Sequence, residues 1–231
     1  MRLDKYLAKA LNVTRSEASK LLKSKKIRVD DDVITDGSIE VKGKVYYLDK
    51  EIIYKENRYF ILNKPKGYIS STFDKDHPCV TSLIEGVKDL LVCGRLDIDT
   101  TGLLILTTDG AFIHKVTSPK SDIYKKYYVE VSGEFKESDK ELFIKGFDLI
   151  DTDGKMYHTN EAYLEIIDKN KAYISISEGK FHQIKKMCHE VGCVVEKLKR
   201  VSIGSLTLDG DLAEGDYIEV DEETIKNVFV K

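Results

Sequence analysis

Three segments in the second half of the chain alternate apolar and polar residues, and they constrain the fold more than any other feature. They read YYVEV at 127–131, AYLEII at 162–167 and AYISIS at 172–177. A period of two is typical of strands that bury one face, and consecutive strands of this kind favour antiparallel pairing. We therefore predict an α+β fold whose second half forms a mostly antiparallel sheet with flanking helices.

The segment CGRLDIDTTGLLILTTDGAF, residues 93–112, combines a polar loop with a buried strand. The uninterrupted apolar run at 103–106 predicts the strand. Two glycines, Gly94 and Gly102, bracket a loop that presents Arg95, Asp97 and Asp99. We expect the chemistry of this chain to lie at that loop.

Taken alone, the loop leaves three interpretations open. Asp97, Asp99 and Thr101 have the DxDxT spacing of haloacid-dehalogenase-type phosphatases, in which one Asp attacks phosphate beside magnesium. Such enzymes need alternating strands and helices, whereas consecutive strands follow this loop. In a second interpretation, the Asp residues only form turns in a non-catalytic RNA-binding factor. In the third, one carboxylate serves an RNA-modifying enzyme.

Positive charge is concentrated at the start of the chain. Residues 1–28 contain nine Lys and Arg against two acidic residues, a local charge of +7. The whole chain carries −3, which leaves −10 for the other residues, and 209–223 hold eight Asp and Glu without a Lys or Arg. A second basic cluster lies between 180 and 200. This asymmetry indicates a polyanionic partner on selected faces.

Residues 1–48 are predicted to form a separate module. Leu3, Leu7 and Leu11 make one apolar stripe on a short helix, and Thr14 with Glu17 has the spacing of a capping box at the start of a second helix. Alternating residues with an Asp-Gly turn follow, which is typical of short strands. We place a linker at 49–56 and a second domain at 57–231.

The stretch RLDKYLAKALNVTRSEASKLLKSKKIRVDD resembles the alpha-L RNA-binding module first described in a small-subunit ribosomal protein. The resemblance implies that cations of this module contact RNA. The positions that match are Arg15, Lys20, Lys23, Lys25, Lys26 and Arg28.

Four blocks of the second domain, NKPKGYISS, GRLDIDTTGLLILTTDG, YKKYYVEV and EGKFHQIKKM, resemble the RsuA type of pseudouridine synthase, the ribosomal small-subunit pseudouridine synthase A family. The resemblance implies that the chain isomerises one flipped uridine of ribosomal RNA. We expect small-subunit RNA, with large-subunit RNA as the alternative because the branches share these blocks. Since the isomerisation gains and loses no atoms, neither a metal nor an organic cofactor is expected.

The same resemblance assigns roles to single residues. Asp97 matches the catalytic Asp of the family, and Lys185, within a helix predicted at about 182–191, matches the basic residue paired with it. A nearby cation favours the ionised form of a carboxyl group. Tyr127 matches the tyrosine that lies against the target base, with Tyr128 as the alternative, since strand alternation sends only one of them into the site.

The remaining candidates surround this centre. Arg95 is expected to fill the gap left by the flipped uridine or to hold its phosphate. Lys64 and Lys66 are expected at the rim of the turn made by Pro65 and Gly67, where they would line the RNA path. His182 and Gln183 are expected either to shape the pocket or to support the start of the helix.

Other features favour an intracellular enzyme without a metal. His182, Cys188, His189 and Cys193 have no standard zinc spacing, and the four cysteines are expected to be reduced thiols. Asp99 and Asp109 are expected to be loop and cap residues. No apolar run approaches the roughly 20 residues that cross a bilayer. We expect a cytoplasmic monomer without membrane contact, whose partner is ribosomal RNA, free or within a partly assembled small subunit.

Overall fold

The structure is a computed structural model that describes residues 1–55 and 57–230. It divides into two compact units, Met1–Glu56 and Asn57–Lys231. The first unit has two helices followed by four short strands: α1 (Leu3–Ala10), α2 (Arg15–Lys23), β1 (Ile27–Val29), β2 (Asp32–Val33), β3 (Val45–Tyr47) and β4 (Lys50–Ile52).

The two helices of the first unit form as the apolar pattern predicts. Leu3 and Leu7 of α1 are buried with Ala18 and Leu22 of α2, and Ile27 of β1 completes this small core. The capping box at the start of α2 is confirmed, because the Thr14 side chain accepts from the Glu17 peptide nitrogen and the Glu17 carboxylate accepts from the Thr14 nitrogen.

The sheet of the first unit has the order β2-β1-β3-β4, and its pairings are antiparallel. Strand β4 lies inside the segment 49–56 that we predicted to be a linker. The structure corrects that expectation, because Leu48 and Asp49 adopt positive φ angles of 49° and 61° and turn the chain back so that β4 pairs with β3.

The second unit contains eleven strands and four helices within the described residues. They are β5 (Tyr59–Lys64), β6 (Leu91–Cys93), β7 (Thr101–Thr107), α3 (Gly110–Thr117), β8 (Lys125–Ser132), α4 (Asp139–Lys145), β9 (Asp148–Ile150), β10 (Met156–His158), β11 (Ala162–Asp168), β12 (Lys171–Ile176), α5 (Gln183–Glu190), β13 (Val194–Ile203), β14 (Leu206–Thr207), β15 (Tyr217–Val220) and α6 (Glu222–Ile225).

Nine of these strands form one sheet in the part of the chain that the structure describes. Its order is β11-β12-β8-β13-β7-β5-β15, with β14 paired to β13 and β6 to β7, while β9 and β10 form a separate hairpin. Every pairing is antiparallel except that of β13 with β7. The predicted α+β class is confirmed. The phosphatase interpretation is wrong, because its architecture needs a parallel sheet of alternating strands and helices.

The central strands β5 and β7 are buried on both faces, which explains the uninterrupted apolar run in β7. One face packs against α4 and α5, and it includes Phe60, Leu62, Leu104 and Leu106. The other face packs against α3 and α6, and it includes Tyr59, Ile61, Leu103 and Ile105. No helix in the described residues is both long enough and apolar enough to span a membrane.

Strand β7 comes very close to β13 at Gly102. This residue has a φ angle of +102°, and a Cβ atom on it would lie 2.2 Å from the carbonyl oxygen of Arg200. The Arg200 guanidinium is buried, and its Nε donates to the carbonyl of Leu103 at 2.8 Å. Only glycine fits this approach, which fixes the start of β7 and therefore the end of the loop before it.

Candidate active site

The loop at 94–100, between β6 and β7, is tied to the turn that follows β5. Ser70 Oγ donates to the carbonyl of Leu96 at 2.9 Å and accepts from the Leu96 nitrogen at 3.0 Å. The Gly67 nitrogen donates to the carbonyl of Ile98 at 2.9 Å. Backbone bonds therefore hold the loop that carries the predicted carboxylates.

Lys64 is completely buried, so our expectation that it stands at the rim of the turn is wrong. Its Nζ donates to the carbonyl oxygens of Thr100 at 2.8 Å and Ile98 at 3.4 Å. Burial lowers the pKa of Lys64 to about 8, although the charges of Asp99 and Asp97 offset part of this effect. Lys64 thus binds the loop backbone from the protein interior and does not line a path on the surface.

The structure brings Lys185 of α5 to the loop. Its Nζ lies 3.3 Å from Oδ2 of Asp97, and it donates to both carboxylate oxygens of Asp99 at 2.7 and 2.9 Å. Nε2 of His182 lies 3.5 Å from the same Oδ2 of Asp97. Two basic side chains therefore meet two carboxylates from a loop far away in sequence.

Asp99 is a residue that sequence reasoning missed. We expected a loop residue, yet its carboxylate takes the shortest bonds of Lys185. Burial alone would raise the pKa of Asp99, but the hydrogen bonds and charge of Lys185 outweigh it and lower this pKa below its ordinary value. Asp109, by contrast, caps α3 as expected and accepts from two peptide nitrogens of its first turn.

Strand alternation separates the two adjacent tyrosines of β8. Tyr127 is 7% exposed and faces the core and the pocket beside the loop. Tyr128 lies on the other face, where its hydroxyl donates to Glu130 at 2.8 Å. The structure therefore brings Tyr127, and not its neighbour, to the carboxylates.

A pocket at this position collects six of the eight candidates from the second domain. Those that line it are Arg95, Asp97, Tyr127, His182, Gln183 and Lys185. Ile176 and Leu198 add apolar wall. Lys66 is exposed in its turn and, like Lys64, is not among the lining residues. The pocket thus places a half-buried carboxylate and cation beside apolar surface.

The start of α5 aims the basic side chains at the loop. His182 precedes the helix in a left-handed conformation with φ +53°, and its ring stacks on Phe181 with centroids 3.8 Å apart. The buried Gln183 amide accepts from the Lys180 nitrogen at 3.0 Å and donates to Glu178 at 2.8 Å. Gln183 therefore supports the helix start, while His182 reaches Asp97.

The His and Cys residues that we considered for zinc differ in burial. Cys188 and Cys193 are buried, whereas His189 is exposed. Burial raises the pKa of both thiols. Nowhere in 1–55 and 57–230 do three or more His, Cys, Asp or Glu side chains meet as metal ligands would.

Most of the predicted basic residues of the first unit are exposed. The exposed ones are Arg15, Lys20, Lys23, Lys25 and Lys26. Arg28 differs, because its guanidinium is half-buried, donates to Asp49 at 3.0 Å and lies over the Tyr46 ring. These five exposed cations lie on α2 and in the turn after it.

Two family models match this chain. Residues 58–190 match RNA pseudouridylate synthase, and residues 1–45 match the S4 domain. The match to the first model covers the loop, α5 and every pocket residue named above except Leu198, and the second covers both helices of the first unit.

Known proteins resemble the chain over nearly its whole length. The ribosomal small subunit pseudouridine synthase A of Escherichia coli strain K12 is 38% identical over 99% of this chain and 100% of its own. The protein of that name from Vibrio cholerae is also 38% identical over the same shares. A crystal structure of a pseudouridylate synthase superposes with a TM-score of 0.70 at 33% identity over 99% of both chains. The chain therefore belongs to the RNA pseudouridylate synthase family.

Proposed function

We propose that this enzyme converts uridine to pseudouridine in the RNA of the small ribosomal subunit, with Asp97 as its catalytic carboxylate. The observation that carries the proposal is the convergence of Asp97, Lys185 and Tyr127 in one pocket. The choice of RNA is supported by the similarity to ribosomal small subunit pseudouridine synthases, which extends over both units.

The reaction requires one carboxylate. The N1–C1′ bond of uridine breaks, the uracil turns, and a C5–C1′ bond forms. The proton leaves C5 and N1 gains one, so the atoms balance without a second substrate. Asp97 either adds to the sugar, as in retaining glycosidases, or deprotonates or stabilises a sugar intermediate. Both routes need an ionised carboxylate, and the Lys185 ammonium lies 3.3 Å from that of Asp97.

The pocket suits a base that has left its stack. A flipped uracil needs a flat apolar contact, and the buried Tyr127 ring beside Ile176 and Leu198 supplies it. We assign to the Tyr127 hydroxyl a part in removing the C5 proton in the last step. Arg95, at the pocket edge, either binds the phosphate of the flipped nucleotide or fills the gap that this nucleotide leaves in the RNA stack. Apolar walls also keep water from the detached uracil.

The first unit supplies affinity for the RNA backbone. Five of its exposed cations, Arg15, Lys20, Lys23, Lys25 and Lys26, can neutralise phosphates without reading sequence. We leave Arg28 out of this surface, because Asp49 neutralises it within the unit. The substrate is ribosomal RNA, free or in a partly assembled small subunit, and the enzyme acts on it as a monomer in the cytoplasm.

The test is tritium release from uracil C5 of labelled ribosomal RNA. Small-subunit and large-subunit transcripts are incubated separately with the wild type and with Asp97→Asn, in the presence of a chelator. The Asn side chain has nearly the same shape but no charge and no nucleophilic oxygen pair. We expect release from the small-subunit transcript alone, lost in Asp97→Asn, with RNA affinity unchanged.

The matched control is Asp211→Asn, the same substitution at an exposed position of the second unit. It should release tritium at the wild-type rate. Release by Asp97→Asn would overturn the catalytic assignment, and release from large-subunit RNA would replace the proposed substrate. If neither transcript reacts, the assay is repeated on small subunits and their assembly intermediates, and failure there would refute the proposed function.

A further inference from the structure

Lys185 divides its contacts unequally between the two carboxylates of the loop. It donates to Asp99 Oδ1 and Oδ2 at 2.7 and 2.9 Å, whereas its distance to Asp97 Oδ2 is 3.3 Å. Charge-assisted N–H···O bonds have lengths of about 2.7–2.9 Å. The ammonium is therefore bound to Asp99 and only approaches Asp97.

The shortest ionic contacts of Asp97 reach one of its two oxygens. Lys185 and His182 both approach Oδ2, at 3.3 and 3.5 Å. Oδ1 accepts no hydrogen bond from any residue that the structure describes. A carboxylate that adds to a sugar carbon, or takes a proton from it, needs an oxygen whose lone pairs are available. Oδ1 of Asp97 meets this requirement.

The charge of Asp99 determines where the ammonium stays. The pKa of Asp99 lies below its ordinary value because the hydrogen bonds and charge of Lys185 outweigh the effect of burial. Asp99 is thus an anion at neutral pH and competes with Asp97 for the same cation. Without that competitor, the ammonium would form short bonds to Asp97. Short bonds of this kind stabilise the Asp97 carboxylate before the reaction. Because the reaction would have to weaken them, they would slow the chemical step.

We propose that Asp99 is a positioning residue. It holds Lys185 so that the ammonium lies 3.3 Å from Oδ2 of Asp97 without forming a short bond to it, which leaves the carboxylate available to the sugar. This inference rests on the proposed function, because it assigns Asp99 a part in that reaction.

The main test compares Asp99→Asn with the wild type under single-turnover conditions, on the RNA that the wild type modifies. Asn keeps the shape of the side chain and removes its charge. We expect the rate constant to fall about 10-fold to 100-fold, while the dissociation constant for RNA changes less than about twofold. Asp99→Glu, which restores the charge, should recover part of the rate. Loss of fold alone would not produce this split between rate and binding, or this rescue.

The matched control is Glu165→Gln, which removes the charge from another exposed ion pair of the second unit. Glu165, on β11, accepts a hydrogen bond from Lys126 at 2.8 Å. Removing the charge of Glu165 should leave the rate constant unchanged. A wild-type rate in Asp99→Asn would overturn the inference and leave the proposed function intact. Equal losses of rate and RNA binding would also overturn it, since Asp99 would then contact RNA. A wild type inactive on every ribosomal RNA substrate would refute the proposed function itself.

A second measurement does not depend on activity. An ammonium held by two short bonds exchanges its protons slowly, so Lys185 should give a resolved ¹H–¹⁵N signal from its side chain, identified by its disappearance in Lys185→Arg. In Asp99→Asn the signal should broaden or shift. An unchanged signal would show that Asp99 does not hold the ammonium, which would overturn the inference.

Discussion

Replacing Gly102 with Ala tests the close contact that fixes β7 against β13. The added Cβ would lie 2.2 Å from the carbonyl oxygen of Arg200 and 2.7 Å from its nitrogen. Real Cβ atoms essentially never come within 3.0 Å of such atoms, so the two strands must separate by at least about 0.8 Å. The obstacle is backbone, which cannot rotate away as a flexible side chain can.

The cost of this substitution has two parts. A non-glycine residue at positive φ is strained by about 1–2 kcal/mol. Forcing extra volume into a packed contact costs about 1–3 kcal/mol more. We therefore expect Gly102→Ala to lower the free energy of unfolding by about 2–5 kcal/mol, a large part of the stability of an ordinary domain.

Gly67→Ala separates these two parts. Gly67 also has a positive φ, +85°, but a Cβ there would meet nothing within 4 Å. It should cost only the strain, about 1–2 kcal/mol. Urea unfolding of wild type and both variants, followed by far-UV circular dichroism, measures the difference. If the two variants unfold at the same urea concentration, the contact between Gly102 and Arg200 does not hold β7 and the reasoning is refuted.

Two further predictions concern charge. The double variant Lys23→Ala, Lys26→Ala should weaken RNA binding and reduce the slope of log K against log salt concentration by about 1–2. The control double variant Lys42→Ala, Lys50→Ala, in the same unit, should change this slope less. Equal slopes in the two double variants would remove Lys23 and Lys26 from the RNA surface. Because the pKa of Lys64 falls from 10.5 to about 8 on folding, the unfolded chain binds more protons between these values, and stability rises with pH. Between pH 7 and 10, the free energy of unfolding measured in urea should rise by about 2–3 kcal/mol less in Lys64→Met than in the wild type. An equal rise in both proteins would contradict the burial of a charged Lys64.

The sequence was informative wherever a local pattern determines the outcome. Alternation in β8 decides that Tyr127 and Tyr128 face opposite sides, and the composition of β7 requires burial on both faces. The capping box of α2 depends on residues three positions apart. In each case the residues that decide the structure are close neighbours in the chain, so their spacing carries the information.

Sequence reasoning failed where the deciding contact joins distant segments. Asp99 and Lys185 are 86 residues apart, and nothing in the loop signals which of two carboxylates takes the shorter bonds. Lys64 ends a strand beside a turn, a position typical of an exposed lysine, and its partners are carbonyl groups that carry no sequence signature. Strand β4 is three residues long, too short for its alternation to distinguish it from a linker.

Buried cations hold the loop at 94–100 by its backbone, so the carboxylates of this loop are not needed to anchor it. Lys64 binds the carbonyl of Thr100, and Arg200 binds that of Leu103, so positive charge fixes both the end of the loop and the start of β7. A side chain that must react in every turnover is a poor anchor, because its contacts change as the reaction proceeds. Since the loop is held without the Asp97 carboxylate, Asp97→Asn should remove the chemistry and preserve the fold. The loss of activity in that variant can then be attributed to the carboxylate alone.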